Sequence, residues 1–339
     1  MTDQKIVTVL GGGSFGTVLA NILANNGHQT RLWMRDDEAA QRTQTSRKNS
    51  KYLPDYPLHE NLIIGSDLAA SVSGSELVLF SVPSSSIRAV AKAVEPNLSP
   101  DVCVLSTAKG IETGSFMLMS QVLEQELPGK RIGALSGPNL AKEIAMGFPA
   151  ASVVASKDSS LCDFVQDTLG SEIFRIYSAD DIYGIELAGA LKNIYAIITG
   201  FSSALGMGHN TNGMLVTRSL AEMSRLAVRL GANPLTFLGL AGVGDLIVTC
   251  MSDLSRNFQV GYQVGQGKTL EQAVADIGQT AEGVNTLKLV KLKAEELDVY
   301  MPLVTGLHKI LFEDADVDEV VRGLMLGDKA QDVDFGLDL

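Results

Sequence analysis

Cysteine is scarce in this 339-residue chain, and its three cysteines lie far apart, in apolar surroundings and without C-x-x-C spacing. An odd number of distant cysteines does not predict a disulfide framework, so we expect reduced core residues at Cys103, Cys162 and Cys250. Histidine is nearly as scarce, and its positions lack metal-ligand spacing. The histidines are His28, His59, His209 and His308. The sequence therefore predicts no metal site.

Positive charge and long hydrophobic runs are also lacking. The chain carries 27 Lys and Arg against 39 Asp and Glu, which gives a formal net charge of −12. Because affinity for nucleic-acid phosphates comes from clustered cations, this balance argues against a nucleic-acid partner. No apolar run approaches the ~18 residues of a membrane span, and the first residues contain no apolar signal core. We therefore expect a cytoplasmic protein without membrane insertion.

Glycine, by contrast, is concentrated in one turn near the start of the chain. Gly11, Gly13 and Gly16 are spaced G-x-G-x-x-G between the apolar run Ile6–Leu10 and a helix-like stretch at residues 17–24. Such glycines permit a tight turn, let the backbone approach a pyrophosphate and seat the helix against the sheet. An ordinary strand-to-helix turn is the alternative, because loops collect glycine. The strand before the turn and the helix after it favour a dinucleotide site.

The length of the chain predicts two domains, since domains usually contain roughly 100 to 200 residues. Short apolar runs alternate with helical patterns through the first half, which predicts a mostly parallel α/β sheet of the Rossmann type. These runs are residues 6–10, 30–33, 77–80, 102–105, 132–135 and 151–154. Residues 42–61 interrupt this alternation of strands and helices, and we expect an irregular segment there that extends toward the cofactor. From about residue 180 helical patterns take over, so we expect a Rossmann domain at 1–180 and an all-α domain at 181–339.

Lys192 stands alone in an apolar environment. No other Asp, Glu, Lys or Arg occurs between residues 187 and 217, and the surrounding pattern predicts a helix that is buried on all sides. Burial of an ammonium group favours its neutral form unless an anion compensates, which suits a lysine to acid–base chemistry. A lysine that reaches solvent, or that pairs with Glu186 six positions earlier, is the alternative. The different helical face of Glu186 weakens that pairing.

Three further polar positions are candidates for a site. Asp245 lies in a glycine-rich apolar segment, where it either meets a cation or caps a helix beginning at Leu246. Ser255-Arg256-Asn257 combines a guanidinium with two neutral hydrogen-bonding side chains, which suits a phosphate monoester, although most such triplets are solvated turns. Lys109 directly follows a predicted parallel strand, where bound ligands lie, although a surface loop lysine fits as well.

Together these segments resemble NAD(P)-dependent glycerol-3-phosphate dehydrogenases of the bacterial type over essentially the whole chain. The motifs that carry the resemblance, in order, are residues 11–20, 81–84, 106–112, 136–143, 186–193, 239–246 and 255–257. The resemblance implies a Rossmann domain followed by a helical substrate domain, and commonly a homodimer. It further implies interconversion of sn-glycerol 3-phosphate and dihydroxyacetone phosphate, which supplies glycerol 3-phosphate for phospholipid synthesis.

The resemblance also implies roles for individual residues. Lys192 is the proton acceptor for the C2 hydroxyl, Lys109 contacts substrate and cofactor, and Asp245 orients Lys192 or the substrate hydroxyls. The implied substrate-binding residues are Lys109, Gly137, Asn139, Lys192, Asp245, Ser255, Arg256 and Asn257. The implied cofactor-binding residues are Gly11, Gly13, Ser14, Phe15, Gly16, Arg35, Lys109, Ala141, Arg256, Thr280 and Glu282. The chain departs from the family where Phe15 replaces a frequent Trp, and where Asn139-Leu140 replaces a frequent Ser-Phe.

The end of the second predicted strand bears on the choice of cofactor. An acidic residue there binds the ribose hydroxyls of NAD, whereas an arginine accepts the 2′-phosphate of NADP. Arg35 comes first and favours NADP, but Asp36 follows and can face the ribose. We therefore expect the protein to use both NAD and NADP, with a preference for NADPH.

Two other functions are compatible with parts of the pattern. Another two-domain dehydrogenase, of the β-hydroxy acid or ketopantoate type, would also combine a Rossmann domain with a lysine-bearing helical domain. The segment around Asp245 and the Ser255-Arg256-Asn257 triplet argue against that reading. A non-catalytic dinucleotide sensor would keep the glycine turn while Lys192 merely packs.

Overall fold

The computed structural model describes residues 3–278 and 281–326. Within this range the chain forms two compact units. The first contains residues 3–112 and 117–182, and the second contains residues 113–116 and 183–326. The assignment of cofactor to the first unit and substrate to the second stays a prediction.

The first unit contains ten strands. They are β1 (Ile6–Leu10), β2 (Gln29–Trp33), β3 (Lys48–Asn49), β4 (Leu53–Pro57), β5 (Ile63–Gly65), β6 (Leu77–Phe80), β7 (Cys103–Ser106), β8 (Arg131–Ser136), β9 (Ala150–Ser156) and β10 (Phe174–Ala179). Eight of them form one sheet in the order β10-β9-β8-β7-β6-β1-β2-β5, and β3 and β4 form a separate antiparallel hairpin. The order runs outward from β1 in both directions. Such a reversal creates a crevice at the carboxyl ends of the strands, where ligands of α/β sheets bind.

Seven helices accompany these strands. They are α1 (Ser14–Asn25), α2 (Asp37–Ser46), α3 (Leu68–Val72), α4 (Ile87–Val94), α5 (Met119–Glu126), α6 (Ala141–Ala145) and α7 (Ser159–Leu169). Short 3₁₀ turns add Ser84–Ser86 and Glu95–Asn97. Alternate residues of the apolar strands enter two cores, as Leu105 does in one and Val104 in the other. A strand that is buried on both faces must be apolar throughout, which explains the continuous runs in the sequence.

The predicted mostly parallel sheet is confirmed, with one reversal. β9 pairs antiparallel with β8, whereas the other neighbouring strands of the large sheet are parallel. The connection between β8 and β9 contains only the five-residue helix α6, which turns the chain back without a crossover. The expected irregular segment also begins later than residue 42, because Asp36 caps a helix that continues to Ser46.

The second unit is helical, as expected. Its helices are α8 (Ile182–Ala204), which starts at the last residue of the first unit, α9 (His209–Arg229), α10 (Asp245–Met251), α11 (Arg256–Gly265), α12 (Leu270–Ile277), α13 (Glu282–Glu296), α14 (Pro302–Phe312) and α15 (Val317–Met325). A 3₁₀ turn, Pro234–Leu238, and a π-helical turn, Leu240–Gly244, lead into α10. Residues 184–197 of α8 are all buried, as the apolar pattern predicts. In the described ranges, none of the helices is both long enough and apolar enough to span a membrane.

A buried carboxyl group joins three helices of the second unit. Glu222 on α9 accepts hydrogen bonds from the backbone N–H groups of Leu303 (2.6 Å) and Val304 (3.3 Å), at the start of α14. The Tyr195 hydroxyl on α8 donates to the same carboxylate at 3.2 Å. Burial raises the pKa of Glu222 from its usual 4.5 to about 7, although these donors and the charge of Arg225 oppose the shift. Glu222 therefore titrates near neutral pH.

This shift predicts a stability that decreases with rising pH. Between pH 4.5 and about 7 the folded chain keeps a proton on Glu222 that the unfolded chain has released. The free energy of unfolding therefore falls through this window, by about 3 kcal/mol in total. Glu222→Gln cannot ionise, so its melting temperature should fall less between about pH 5 and about pH 8, measured by calorimetry. The exposed Glu271→Gln is the control. If the melting temperature of Glu222→Gln fell with pH as much as that of the wild-type protein, the result would contradict the assignment of this pH dependence to Glu222.

Candidate active site

The glycine turn of the first unit connects β1 to α1 and needs glycine at two of its positions for steric reasons. A Cβ atom at Gly16 would lie 2.1 Å from the carbonyl oxygen of Gly11. A Cβ atom at Gly11 would lie 2.6 Å from the Ser81 carbonyl oxygen, and the φ angle of Gly11 is +116°. Gly13 differs, because a Cβ there would meet no described atom within 4 Å. There is therefore open space beside Gly13 at the start of α1, as a pyrophosphate site requires.

Two charged residues follow β2 at the edge where the turn lies. Arg35 is exposed. Asp36 is the N-cap of α2, and its Oδ1 accepts a hydrogen bond from the Ala39 backbone N–H at 2.7 Å. The aspartate therefore holds the helix start, and the guanidinium extends into solvent. Phe15 and Ala141, two further predicted cofactor residues, are half-buried and pack against the core that contains α1.

Three predicted substrate residues of the first unit lie beyond β7 and β8. Lys109 Nζ donates to the Gly137 carbonyl oxygen at 2.8 Å. Gly137 has a φ of +146°, and a Cβ there would lie 3.1 Å from the Ala151 carbonyl oxygen. Asn139 Nδ2 donates to Ser152 Oγ at 2.6 Å, while its buried Oδ1 has no hydrogen-bond partner in the described ranges. The structure therefore brings Lys109 and Gly137 together and leaves an acceptor at Asn139.

Lys192 and Asp245 form a buried ion pair in the second unit. Lys192 Nζ donates to Asp245 Oδ1 at 2.5 Å, and the two side chains are 8% and 1% exposed. The cation that Asp245 needs is thus a lysine 53 positions earlier in the chain. The alternative of an Asp245 N-cap is wrong, because the π-helical turn Leu240–Gly244 runs straight into α10 and Gly244 already has helical angles.

Thr249 completes this group and was not among the site residues predicted from the sequence. Lys192 Nζ also donates to Thr249 Oγ1 at 2.5 Å, while the Thr249 hydroxyl donates to the Asp245 carbonyl oxygen at 2.6 Å. Residues four apart lie on the same face of a helix, so the spacing of Thr249 from Asp245 was the available signal. Two hydrogen bonds from one nitrogen restrict the rotation of the amine. The amine is therefore held in a defined orientation.

The Ser255-Arg256-Asn257 triplet forms the start of α11. Ser255 Oγ caps the helix by accepting from the Phe258 N–H at 3.3 Å, and Arg256 is the exposed first residue. Asn257 is buried, and its Nδ2 donates to Asn193 Oδ1 at 3.0 Å. The two neutral side chains thus make intramolecular hydrogen bonds. An anion at this helix start would meet backbone N–H groups and the guanidinium of Arg256.

Close backbone contacts hold α11 and α13 on α8. A Cβ atom at Gly261 would lie 1.9 Å from the Ile197 carbonyl oxygen, and one at Gly283 would lie 2.6 Å from the Asn193 carbonyl oxygen. The Gly283 N–H donates to Asn257 Oδ1 at 3.0 Å, which ties the three helices together beside Lys192. Nearby, burial raises the pKa of Cys250 to about 12, so this thiol stays neutral.

One predicted cofactor position lies at the start of α13. Glu282 is its half-buried first residue, whereas Thr280 lies outside the described residues. Across the described ranges, His, Cys, Asp and Glu side chains form no group of three or more that could hold a metal ion.

Comparison with known proteins agrees with both halves of the chain. The N-terminal model of the NAD-dependent glycerol-3-phosphate dehydrogenase family matches residues 6–162, and the C-terminal model matches residues 181–322. The chain is 60% identical to glycerol-3-phosphate dehydrogenase (NAD(P)+) of Saccharophagus degradans over 335 residues, 99% of this chain and 94% of that protein. The corresponding protein of Teredinibacter turnerae is also 60% identical, over 99% of this chain and 98% of its own length.

Solved structures show the same relationship. A crystal structure of glycerol-3-phosphate dehydrogenase from Coxiella burnetii is 37% identical, has a TM-score of 0.91, and covers 96% of this chain and 99% of its own. A ketopantoate reductase from Ralstonia eutropha is 18% identical with a TM-score of 0.58, over 93% of this chain and 99% of its own, and shares only the fold. The chain therefore belongs to the NAD-dependent glycerol-3-phosphate dehydrogenase family.

Proposed function

We propose that this protein interconverts sn-glycerol 3-phosphate and dihydroxyacetone phosphate, with a nicotinamide dinucleotide as hydride carrier. The observation that carries the chemistry is the buried amine of Lys192, held by Asp245 and Thr249. Family membership supplies the identity of the substrate, and the ion pair supplies a group that can move its proton.

Lys192 would carry the acid–base step. When the alcohol is oxidised, the C2 hydroxyl must lose its proton as the carbonyl forms, and Lys192 Nζ accepts it as the neutral amine, which thereby becomes the ammonium of the ion pair. In the reverse direction the ammonium polarises the carbonyl and returns the proton to its oxygen. Asp245 Oδ1 and Thr249 Oγ1 keep the nitrogen oriented throughout. The nicotinamide ring of the bound cofactor supplies the hydride chemistry.

The substrate phosphate would lie at the start of α11. The backbone N–H groups there and the guanidinium of Arg256 provide donors, and Asn257 fixes the helix on α8 through Asn193. Lys109, Gly137 and Asn139 would contribute the remaining substrate contacts. The acceptor Oδ1 of Asn139 suits a substrate hydroxyl.

The cofactor would bind at the glycine turn, with NADPH preferred. Gly11 and Gly16 shape the turn, and the open side of Gly13 leaves room for the pyrophosphate. The exposed Arg35 suits a 2′-phosphate, while the capping bond of Asp36 commits one carboxylate oxygen to α2. Ser14, Phe15, Ala141, Thr280 and Glu282 complete the proposed cofactor residues, and Lys109 and Arg256 would contact both ligands.

The same proposal extends to the cellular role. We place the enzyme in the cytoplasm as a homodimer that supplies glycerol 3-phosphate for phospholipid synthesis. Family membership supports this role, and the net charge of −12 agrees with a small-molecule substrate as its partner.

Removal of the amine should separate chemistry from cofactor binding. We expect Lys192→Ala to lower kcat for dihydroxyacetone phosphate by a factor on the order of 10³, because the acid–base group is lost. The Kd for NADPH should stay within about threefold, since no cofactor contact is assigned to this residue. NADPH absorbance and calorimetric titration measure the two quantities, with the exposed Lys288→Ala as control. If the wild-type protein bound NADPH but did not reduce dihydroxyacetone phosphate, the result would instead indicate a non-catalytic sensor. If the wild-type protein reduced ketopantoate, the result would indicate the other class of dehydrogenase.

Two glycines of the turn should respond differently to alanine. Gly16→Ala places a Cβ 2.1 Å from backbone, so it should lower both the melting temperature and the affinity for NADPH. Gly13→Ala has a compatible φ of −73° and open space, so it should keep the melting temperature and lose about tenfold or more in affinity. The exposed helical Gly323→Ala serves as the control for both measurements. Normal NADPH affinity in Gly13→Ala would place the pyrophosphate elsewhere.

Arg35 should distinguish the two cofactors. Loss of a charge-assisted bond to the 2′-phosphate should raise KM for NADPH by about 10-fold or more in Arg35→Ala, with KM for NADH nearly unchanged. Arg42→Ala, which removes another exposed arginine from the same segment, controls for the change in net charge. An equal loss with both cofactors would exclude the 2′-phosphate role.

A further inference from the structure

The β3–β4 hairpin of the first unit packs on the helix that follows the glycine turn. Leu53 and Leu58, in and just after β4, are buried in the same core as Val18 and Ile22 of α1. A second anchor is polar, because Asn21 Oδ1 accepts from the His59 backbone N–H at 2.6 Å. The hairpin is therefore fixed on α1 by apolar burial and by one buried asparagine.

Asn49 makes a different kind of contact. Its Nδ2 donates to the carbonyl oxygen of Gly12 at 2.9 Å and to Thr17 Oγ1 at 2.8 Å. The side chain is buried, with the residue only 2% exposed. Thr17 and Asn21 are four positions apart on one face of α1, but only Asn49 reaches beyond the helix into the turn itself.

The bond to Gly12 sets the direction of a peptide unit in the turn. In a trans peptide the carbonyl and the next N–H point in opposite directions. Because the Gly12 carbonyl is held toward Asn49, the Gly13 N–H is held away from the hairpin. The Gly13 carbonyl is fixed as well, since it accepts the Thr17 N–H at 3.0 Å. Both peptides that flank the open Gly13 position therefore have a set orientation.

We propose that Asn49 is a positioning residue for the dinucleotide: it holds the Gly12–Gly13 peptide so that its N–H is presented to the pyrophosphate. This inference rests on the proposed cofactor role of the glycine turn. Without the Asn49 amide, the Gly12–Gly13 peptide keeps the conformational freedom that glycine allows, and that freedom must be lost when the cofactor binds. Preorganised donors bind an anion more tightly than donors that must first be ordered.

Anchoring of the hairpin does not require this bond. Leu53, Leu58 and Asn21 hold the hairpin on α1 at positions that do not touch the turn. Loss of the Asn49 side-chain amide should therefore weaken cofactor binding more than it destabilises the fold. Asn21 offers the matched control, because it is a second buried asparagine that bonds to the same segment and leaves Gly12 untouched.

The test replaces each asparagine by leucine, which has a similar shape and no donor. For Asn49→Leu we expect the Kd for NADPH, from calorimetric titration, to rise about 10-fold or more. KM for NADPH should rise in parallel, while kcat at saturating cofactor and KM for dihydroxyacetone phosphate stay within about twofold. Asn21→Leu should lower the melting temperature without a comparable rise in Kd. Thr17→Val, which removes only the second acceptor, should change Kd by less than about threefold.

The outcomes separate this inference from the function on which it rests. Wild-type protein that neither binds NADPH nor reduces dihydroxyacetone phosphate would overturn the proposed function. Active wild-type protein with an unchanged Kd in Asn49→Leu would overturn the positioning role, as would an equal loss of affinity in Asn21→Leu. If Asn49→Leu does not fold, the smaller Asn49→Ala replaces it in the same titration. A raised Kd in that variant, with an unchanged kcat, supports the role.

Discussion

The second unit is organised around a positive and a negative charge that are both removed from water. Burial of either ion alone is costly, and removal of one partner from such a pair typically costs about 3 to 5 kcal/mol. Lys192 and Asp245 are 8% and 1% exposed, so α8 and α10 must meet where their side chains can pair. The π-helical turn Leu240–Gly244 leads directly into Asp245, the first residue of α10. The ion pair thus constrains the packing and at the same time orients the amine that we propose as the acid–base group.

Close approach of backbones is the second constraint, and it operates in both units. Gly16 leaves room for the Gly11 carbonyl in the turn, and Gly261 leaves room for the Ile197 carbonyl between helices. Any side chain at these positions would overlap main-chain atoms, which cannot move without disturbing a strand or helix. Gly13 looks the same in the sequence but faces open space. Only the fold distinguishes glycines that close packing requires from a glycine that borders open space.

The sequence predicted features that depend on neighbours along the chain, and it failed for features that depend on contacts between distant segments. Apolar runs gave the strands, and the isolation of Lys192 gave the buried helix and its amine. The reversal of β9, the hairpin that contains Asn49 and the role of Thr249 were not predicted. Threonine and asparagine are common in turns and on helices. Their significance here comes from partners 57 and 37 positions away.

Polar residues at the candidate positions of each unit therefore divide into two groups, and most of them form hydrogen bonds within the protein itself. Asp36 caps α2, Ser255 caps α11, Asn257 joins α11 to α8 and α13, and Asn49 holds a peptide of the glycine turn. Each bond fixes a local backbone segment or the packing of a helix before any ligand arrives. The anion-binding groups that we propose are then helix starts and exposed guanidinium groups. In a chain with net charge −12, fixed backbone dipoles provide local positive potential that the overall composition lacks. The phosphate-bearing ligands of this family can thus bind a protein of the same charge sign.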